Sequence, residues 1–282
     1  MPAKLVQNNY GKSRVRLMKV ERHGDHHDLQ NLNIKIALEG DFDEIHLIGD
    51  NAKCLPTDTM KNTVYALAAQ TEAIEEIESF GLRLADHFLE NNPQVSAVAV
   101  DIIEHKYTRI PVNGRDHDHS FTKSGGEKRT TFIQASRNAR SVESGLEDLT
   151  VIKTTKSGFA GFKKDEYTFL PETDDRIFCT SVKARWRYAS PDVATERLWT
   201  GVRQTILDTF ATHDSLSVQH TLYAMGEAVI DKHPEVVEIA FSLPNIHCIP
   251  VDVTKFGETE RHAIFWPTEE PHGLIEGRLK RQ

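Results

Sequence analysis

The apolar residues of this chain change rhythm in the same order twice, and that repetition constrains the fold more than any other feature. In the first half, alternation with a period of two predicts strands over 11–20 and 31–39, with Gly24 and Asp25 in the turn between them. Thr57-Asp58-Thr59 then precedes Val64, Leu67 and Ala68, followed by Ile74, Ile77, Leu84 and Phe88, the 3.6-residue rhythm of one or two amphipathic helices that Asn91-Asn92-Pro93 ends. A third strand opens at Val95, Ala97 and Ala99 and runs to Arg109. A fourth covers 128–136, after a polar, glycine-bearing stretch over 113–127 that reads as a connection. From residue 145 the order returns: strands over 149–155 and 176–188, helices over 191–211 and 217–232, strands over 236–243 and 262–266. Leu198, Val202, Ile206 and Phe210 mark one helical stripe. The expected class is α+β: two modules of one design, residues 1–140 and 141–282, each an antiparallel sheet with helices on one face. The connection over 156–175 exceeds the roughly 12–15 residues that a plain loop tolerates, which makes it a candidate functional loop.

Composition removes several classes of function. With 34 basic against 42 acidic side chains the net charge is −8, which argues against binding a phosphate backbone. No apolar run approaches the roughly 20 residues of a membrane helix. Lys4, Gln7, Asn8 and Asn9 stand where a secretory signal would need an apolar run, and the chain closes on Lys280-Arg281-Gln282 rather than a peroxisomal address, so a cytoplasmic setting is expected. Cys54, Cys179 and Cys248 form no Cys-x-x-Cys pair and are expected to be buried thiols. Fourteen histidines invite a metal, above all in His23-Gly24-Asp25-His26-His27-Asp28 and His117-Asp118-His119. Both clusters fall in predicted turns without a His-Glu-x-x-His spacing, and solvated loops without a metal are expected. No glycine-rich nucleotide loop occurs.

Five places could carry chemistry. Thr57-Asp58-Thr59 stands at a helix start, where unpaired N–H groups and the helix dipole favour an anion, although the same residues also serve as simple caps. Ser217-Val218-Gln219 occupies the equivalent start in the second half, so two such termini brought face to face would grip a flat polar anion. By strand alternation Lys12 shares a face with Arg14 and Arg16, and like charges there would disfavour protonation and give a usable base; the alternative is a solvated basic edge. Arg176 could offer a planar fork to carbonyl oxygens or pair with Asp174 or Asp175. Phe159, between Gly158 and Gly161, could be a stacking surface or a buried loop anchor.

Six strings then stand in register: Tyr10-Gly11-Lys12 with Asp50-Asn51-Ala52-Lys53; Thr57-Asp58-Thr59-Met60-Lys61-Asn62-Thr63-Val64-Tyr65; Gly158-Phe159-Ala160-Gly161-Phe162; Thr173-Asp174-Asp175-Arg176-Ile177; Ser217-Val218-Gln219; and Ser242-Leu243-Pro244-Asn245-Ile246-His247. Over nearly its whole length the chain resembles urate oxidase, or uricase. The resemblance implies oxidation of urate by dioxygen to 5-hydroxyisourate and hydrogen peroxide without metal or organic cofactor. It further implies tandem tunnelling-fold modules, and a homotetrameric barrel with sites where subunits meet. Carried over by motif, Phe159 stacks on the purine, Arg176 and Gln219 hold its pyrimidine edge, and Leu170 lines the pocket. The backbone of Asp58 and Val218 and the Thr57 hydroxyl contact the rest of the ring. Lys12 and Thr57 relay a proton with His247, and Asn245 with Thr57 holds dioxygen. A metal-dependent tunnelling-fold enzyme acting on a pterin or guanine ring, with the histidines as ligands, is the alternative. A purine-binding scaffold without catalysis is a third reading, against which Lys12, Thr57 and His247 together speak.

Overall fold

The computed structural model describes residues 3–259 and 263–282. The elements run β1 (Tyr10–His23), β2 (His26–Gly40), α1 (Asp43–Leu47), α2 (Thr57–Ala69), α3 (Ile77–Asn91), β3 (Val95–Val112), β4 (Arg115–Ser136) and β5 (Arg140–Lys153). They continue with β6 (Phe178–Tyr188), α4 (Thr195–Thr212), α5 (Val218–Lys232), β7 (Val236–Pro250) and β8 (Phe265–Lys280). The chain divides into two compact units, residues 1–145 with 187–196, and 146–186 with 197–282.

In the first unit β1 to β4 lie in chain order, each antiparallel to the next. Leu32, Ile34, Ile36 and Leu38 of β2 and Val98, Val100 and Ile102 of β3 turn one face inward. Met60, Val64 and Leu67 of α2 and Phe80, Leu84 and Phe88 of α3 are buried with them. Period two on the sheet thus meets period 3.6 on the helices, as the sequence predicts. In the second unit β6, β7 and β8 follow in order, with β7 and β8 antiparallel and α5 packed on both. Leu198, Val202, Ile206 and Phe210 of α4 are all buried. The α+β class holds.

Three expectations change. The polar stretch over 113–127 is strand: Asn113 and Gly114, both at positive φ, form a two-residue turn after which Arg115 pairs with Val112. Its side chains are largely exposed, so no alternation advertised it. The last strand runs from Phe265 to Lys280 and not over 262–266, and His262 lies outside the described residues. Of the three free cysteines only Cys179 is buried.

The face shared by Lys12, Arg14 and Arg16 is also corrected. Lys12 pairs with Ile36 but Val15 with Ile34, so β1 carries one extra residue, and Arg14 takes φ 58°. Lys12 therefore lies on the face of buried Val15 and Arg16 on the other. The bulge follows Gly11, where any Cβ would sit 1.8 Å from the carbonyl oxygen of Ile36, a contact that admits glycine alone.

A charged network is buried under α3. Arg129 and Glu78 are each 1 % exposed and joined at 2.7 Å. Arg129 also meets Glu196, Ser144 donates to Glu78, and the Thr195 hydroxyl donates to Glu76, whose carboxyl burial pushes up.

Three imidazoles are held below their ordinary value of 6.5: His105 by burial with Arg16, Lys123 and Lys128; His213 by burial with His220 and Lys153; His233 chiefly by burial. The unfolded chain takes up these protons first, so their contribution to stability is complete above 6.5 and lost as the pH falls below it. Urea midpoints should accordingly fall between pH about 7.5 and about 5.5. A midpoint flat across that interval would contradict the burial of these rings.

Candidate active site

The first unit brings Lys12 to the start of α2. The helix lies along β1: the Tyr10 hydroxyl accepts from the backbone N–H of Leu55 at 2.8 Å, the Tyr65 hydroxyl donates to the Arg16 carbonyl at 3.2 Å, and Lys19 Nζ donates to the carbonyls of Ala68, Thr71 and Ala73 at 2.7–3.1 Å. Burial, with a contribution from Cys54, pushes the Tyr10 phenol up to about 12, so it stays protonated. Thr57 is the first residue of the helix, Pro56 holds the cap position, and no side chain caps the terminus. The capping reading is therefore overturned. Asp58 instead turns its carboxylate along the helix to Lys61 at 2.6 Å and Asn62 at 3.0 Å. Lys61 chiefly, with a smaller contribution from Lys12, holds that carboxyl below its ordinary range. Met60 donates back to Pro56, whereas the N–H groups of Thr57, Asp58 and Thr59 have no acceptor within the helix. An uncapped terminus beside a cation is a receptor for an anion.

The second unit gathers Phe159, Arg176, Val218 and Gln219. Between β5 and β6 the chain doubles back on itself: Phe159 and Thr173 exchange backbone hydrogen bonds at 2.8 and 3.1 Å. A Cβ on Gly158 would come within 2.9 Å of the Asp174 carbonyl, so the close approach requires glycine. Phe159 stacks on Phe162 with centroids 4.8 Å apart, and the Arg176 guanidinium lies 5.4 Å from the Phe159 ring. Arg176 precedes β6 by two residues rather than opening it.

Arg176 pairs with neither Asp174 nor Asp175. Asp175 accepts from the Thr155 hydroxyl at 2.7 Å and the Ser157 N–H at 3.2 Å, so its charge is spent on the loop backbone. The Arg176 guanidinium is half-buried, its Nε has no hydrogen-bond partner, and burial alone lowers its pKa. A desolvated, uncompensated cation of this geometry is poised for a planar acceptor pair.

The start of α5 is tied to the same segment. Ser157 bridges Ser215, Gly158 donates to the Ser215 carbonyl at 2.8 Å and Ser215 to the Lys156 carbonyl at 2.9 Å. Ser217 caps α5 by accepting from His220 N–H at 3.1 Å, while Val218 is buried and Gln219 exposed. Asn245 and His247 lie on β7 where its register with β8 shifts, and among the described residues no hydrogen bond joins them to Phe159, Arg176 or Gln219. Leu170 is exposed. Sequence reasoning missed the roles of Tyr10 and Asp175. Asp175 was legible as an acid beside Arg176, but its turn toward the backbone was not.

Among the described residues one histidine–carboxylate group is tight enough to share a cation: Glu21, His23 and Asp28 at the β1–β2 turn. Asp28 already receives Arg109 at 2.6 Å, and Arg109 also donates to the His27 carbonyl. His26 lies 3.4 Å from Asp118, so the two histidine clusters meet in space although some 90 positions separate them. They form a surface polar patch on the first unit.

No helix among the described residues is long and apolar enough to cross a membrane. The family model for uricase matches residues 8–134 and 142–276. A uricase of Arthrobacter globiformis is 43% identical over 99% of this chain and 90% of its own length, and one of Danio rerio is 40% identical over 98% and 95%. The crystal structure of the uricase from Arthrobacter globiformis superposes with a TM-score of 0.95 at 42% identity, covering 100% of this chain and 96% of that one. With nearly its whole length matched in each comparison, and with helix termini, arginine and aromatic ring disposed as described, the chain belongs to the uricase family, the urate oxidases.

Proposed function

We propose that the protein oxidises urate with dioxygen and water to 5-hydroxyisourate and hydrogen peroxide, using no metal or organic cofactor. Arg176 carries the reading: a half-buried guanidinium with an unpartnered Nε beside an aromatic ring suits the two-acceptor edge of a flat anionic purine. Phe159 supplies the stacking surface, Arg176 and Gln219 hold the pyrimidine edge, and the backbone N–H of Val218 adds a donor. Leu170 closes the pocket side. From the first unit come the N–H of Asp58, the Thr57 hydroxyl and the Lys12 amine, at a terminus that no side chain caps.

Lys12 takes the urate proton through Thr57, and His247 completes the path through water. Asn245 with Thr57 holds dioxygen, then the attacking water, above the ring. Deprotonated urate is electron-rich enough to reduce dioxygen itself once it is positioned and desolvated, so the protein's task is to make and hold that anion. In this reading residues 1–140 and 141–282 are tandem modules, four chains close a barrel, and each site forms where subunits meet, in the cytoplasm.

Urate loss, oxygen uptake and peroxide release should continue unchanged after exhaustive chelation and dialysis. Activity that collapses on chelation and returns with a divalent metal would replace this reading by the metal-dependent one.

A further inference from the structure

Lys153, the last residue of β5, occupies an unusual place for a lysine. Its Nζ donates to the backbone carbonyl of His213 at 2.6 Å, and lies 5.4 Å from the ring of Phe210 and 6.0 Å from that of Phe178. Those two rings touch each other with centroids 5.2 Å apart. Among the described residues no carboxylate forms an ion pair with it. His213 comes just after the last turn of α4 and donates back to the Thr209 carbonyl at 2.9 Å, so the ammonium meets the negative end of that helix.

Both ends of this contact lead into the candidate site. Two residues beyond Lys153, Thr155 binds Asp175; then come Ser157, Gly158 and Phe159. Two residues beyond His213, Ser215 bridges Ser157, each 1 % exposed, and then come Ser217, Val218 and Gln219. The Arg176 N–H donates to the Ser157 carbonyl at 2.6 Å, which places the guanidinium on the same crossing. Lys153 and the Ser157–Ser215 bridge are thus two successive pins between the strand end that leads to Phe159 and the helix end that leads to Gln219. The bridge alone leaves a hinge, whereas two pins fix a distance and an angle.

We propose that Lys153 is a positioning residue for purine binding, setting the separation between the Phe159–Arg176 segment and the Val218–Gln219 helix start. The proposal rests on the reading of those four residues as purine contacts. Because Lys153 acts through the two segments it joins and not on the reacting atoms, its loss should weaken ground state and transition state alike.

The test compares the full chain with Lys153→Met, Lys153→Gln and Lys153→Arg, using urate turnover and the binding of xanthine, a purine that lacks the C8 oxygen. Lys153→Met and Lys153→Gln should raise KM for urate and Kd for xanthine about tenfold while kcat stays within about threefold, the signature of lost uniform binding. Lys153→Arg, which keeps a charged donor for the His213 carbonyl, should recover most of the affinity. Unchanged KM and Kd in both neutral variants would overturn the proposal, as would a fall in kcat at constant KM. Failure of all three variants, Arg included, to fold would assign the residue to the fold rather than the site. A wild-type chain that neither binds xanthine nor consumes urate would instead sink the functional reading itself.

Discussion

Lys12→Ala should lower kcat for urate by about 10²–10⁴-fold, the usual worth of a general base, while KM changes much less. The expectation comes from where the lysine stands. With the bulge in β1, Lys12 lies on the inner face of the hairpin, and it contributes to holding the Asp58 carboxyl, at the uncapped start of α2, below its ordinary range. Among the described residues the side chain reaches no hydrogen-bond partner that its removal would orphan, so the fold should tolerate alanine. Steady-state kinetics, with the urea midpoint measured in parallel, decide the matter. Near-normal turnover in a stable variant would dismiss the base, and a loss confined to KM would make Lys12 a binding cation instead.

Arg129→Met should cost about 3–5 kcal/mol of unfolding free energy, the effect of leaving one partner of a buried ion pair uncompensated. Glu78 would remain 1 % exposed with Ser144 as its one donor among the described residues, and Glu76 and Glu196 would face it without their shared cation. Glu78→Leu in the same chain should restore most of the loss, because well-packed apolar groups replace a buried pair at little cost. Urea denaturation at neutral pH of the single and double variants measures both. A single variant within about 1 kcal/mol of the wild type would show that the network contributes little beyond its packing.

The core was legible because burial leaves a trace in the residues themselves. Ile34 and Ile36, or Val202 and Ile206, are apolar at the spacing their element requires, and each lies inward. The arms of the β3–β4 hairpin were not legible by that rule, since strands solvated on both faces need no alternation; Asn113-Gly114 was the one local signal, and it marks the turn correctly. The candidate site divided along the same line. Motif strings located Phe159, Arg176 and Gln219, but whether Arg176 is neutralised by Asp175 depends on which way a carboxylate turns, and Asp175 turns to Thr155 and Ser157. That choice is made by loop hydrogen bonds formed across 20 residues, beyond the reach of any local pattern. The meeting of Lys153 with His213 spans 60 residues and leaves no trace in sequence at all.

The extra residue between Lys12 and Val15 has a consequence for how the chain can vary in length. A strand has two phases, and this insertion is what switches β1 from one to the other after its third residue. Loss of a single residue there would leave Lys12 opposite Ile36 on the same surface, whereas straightening the bulge with every residue kept would slide Lys12 by one rung and turn it to the opposite surface of the sheet. The left-handed turn at Arg14 is thus what keeps the amine inward at the present chain length, so this short stretch is constrained in backbone conformation as much as in composition.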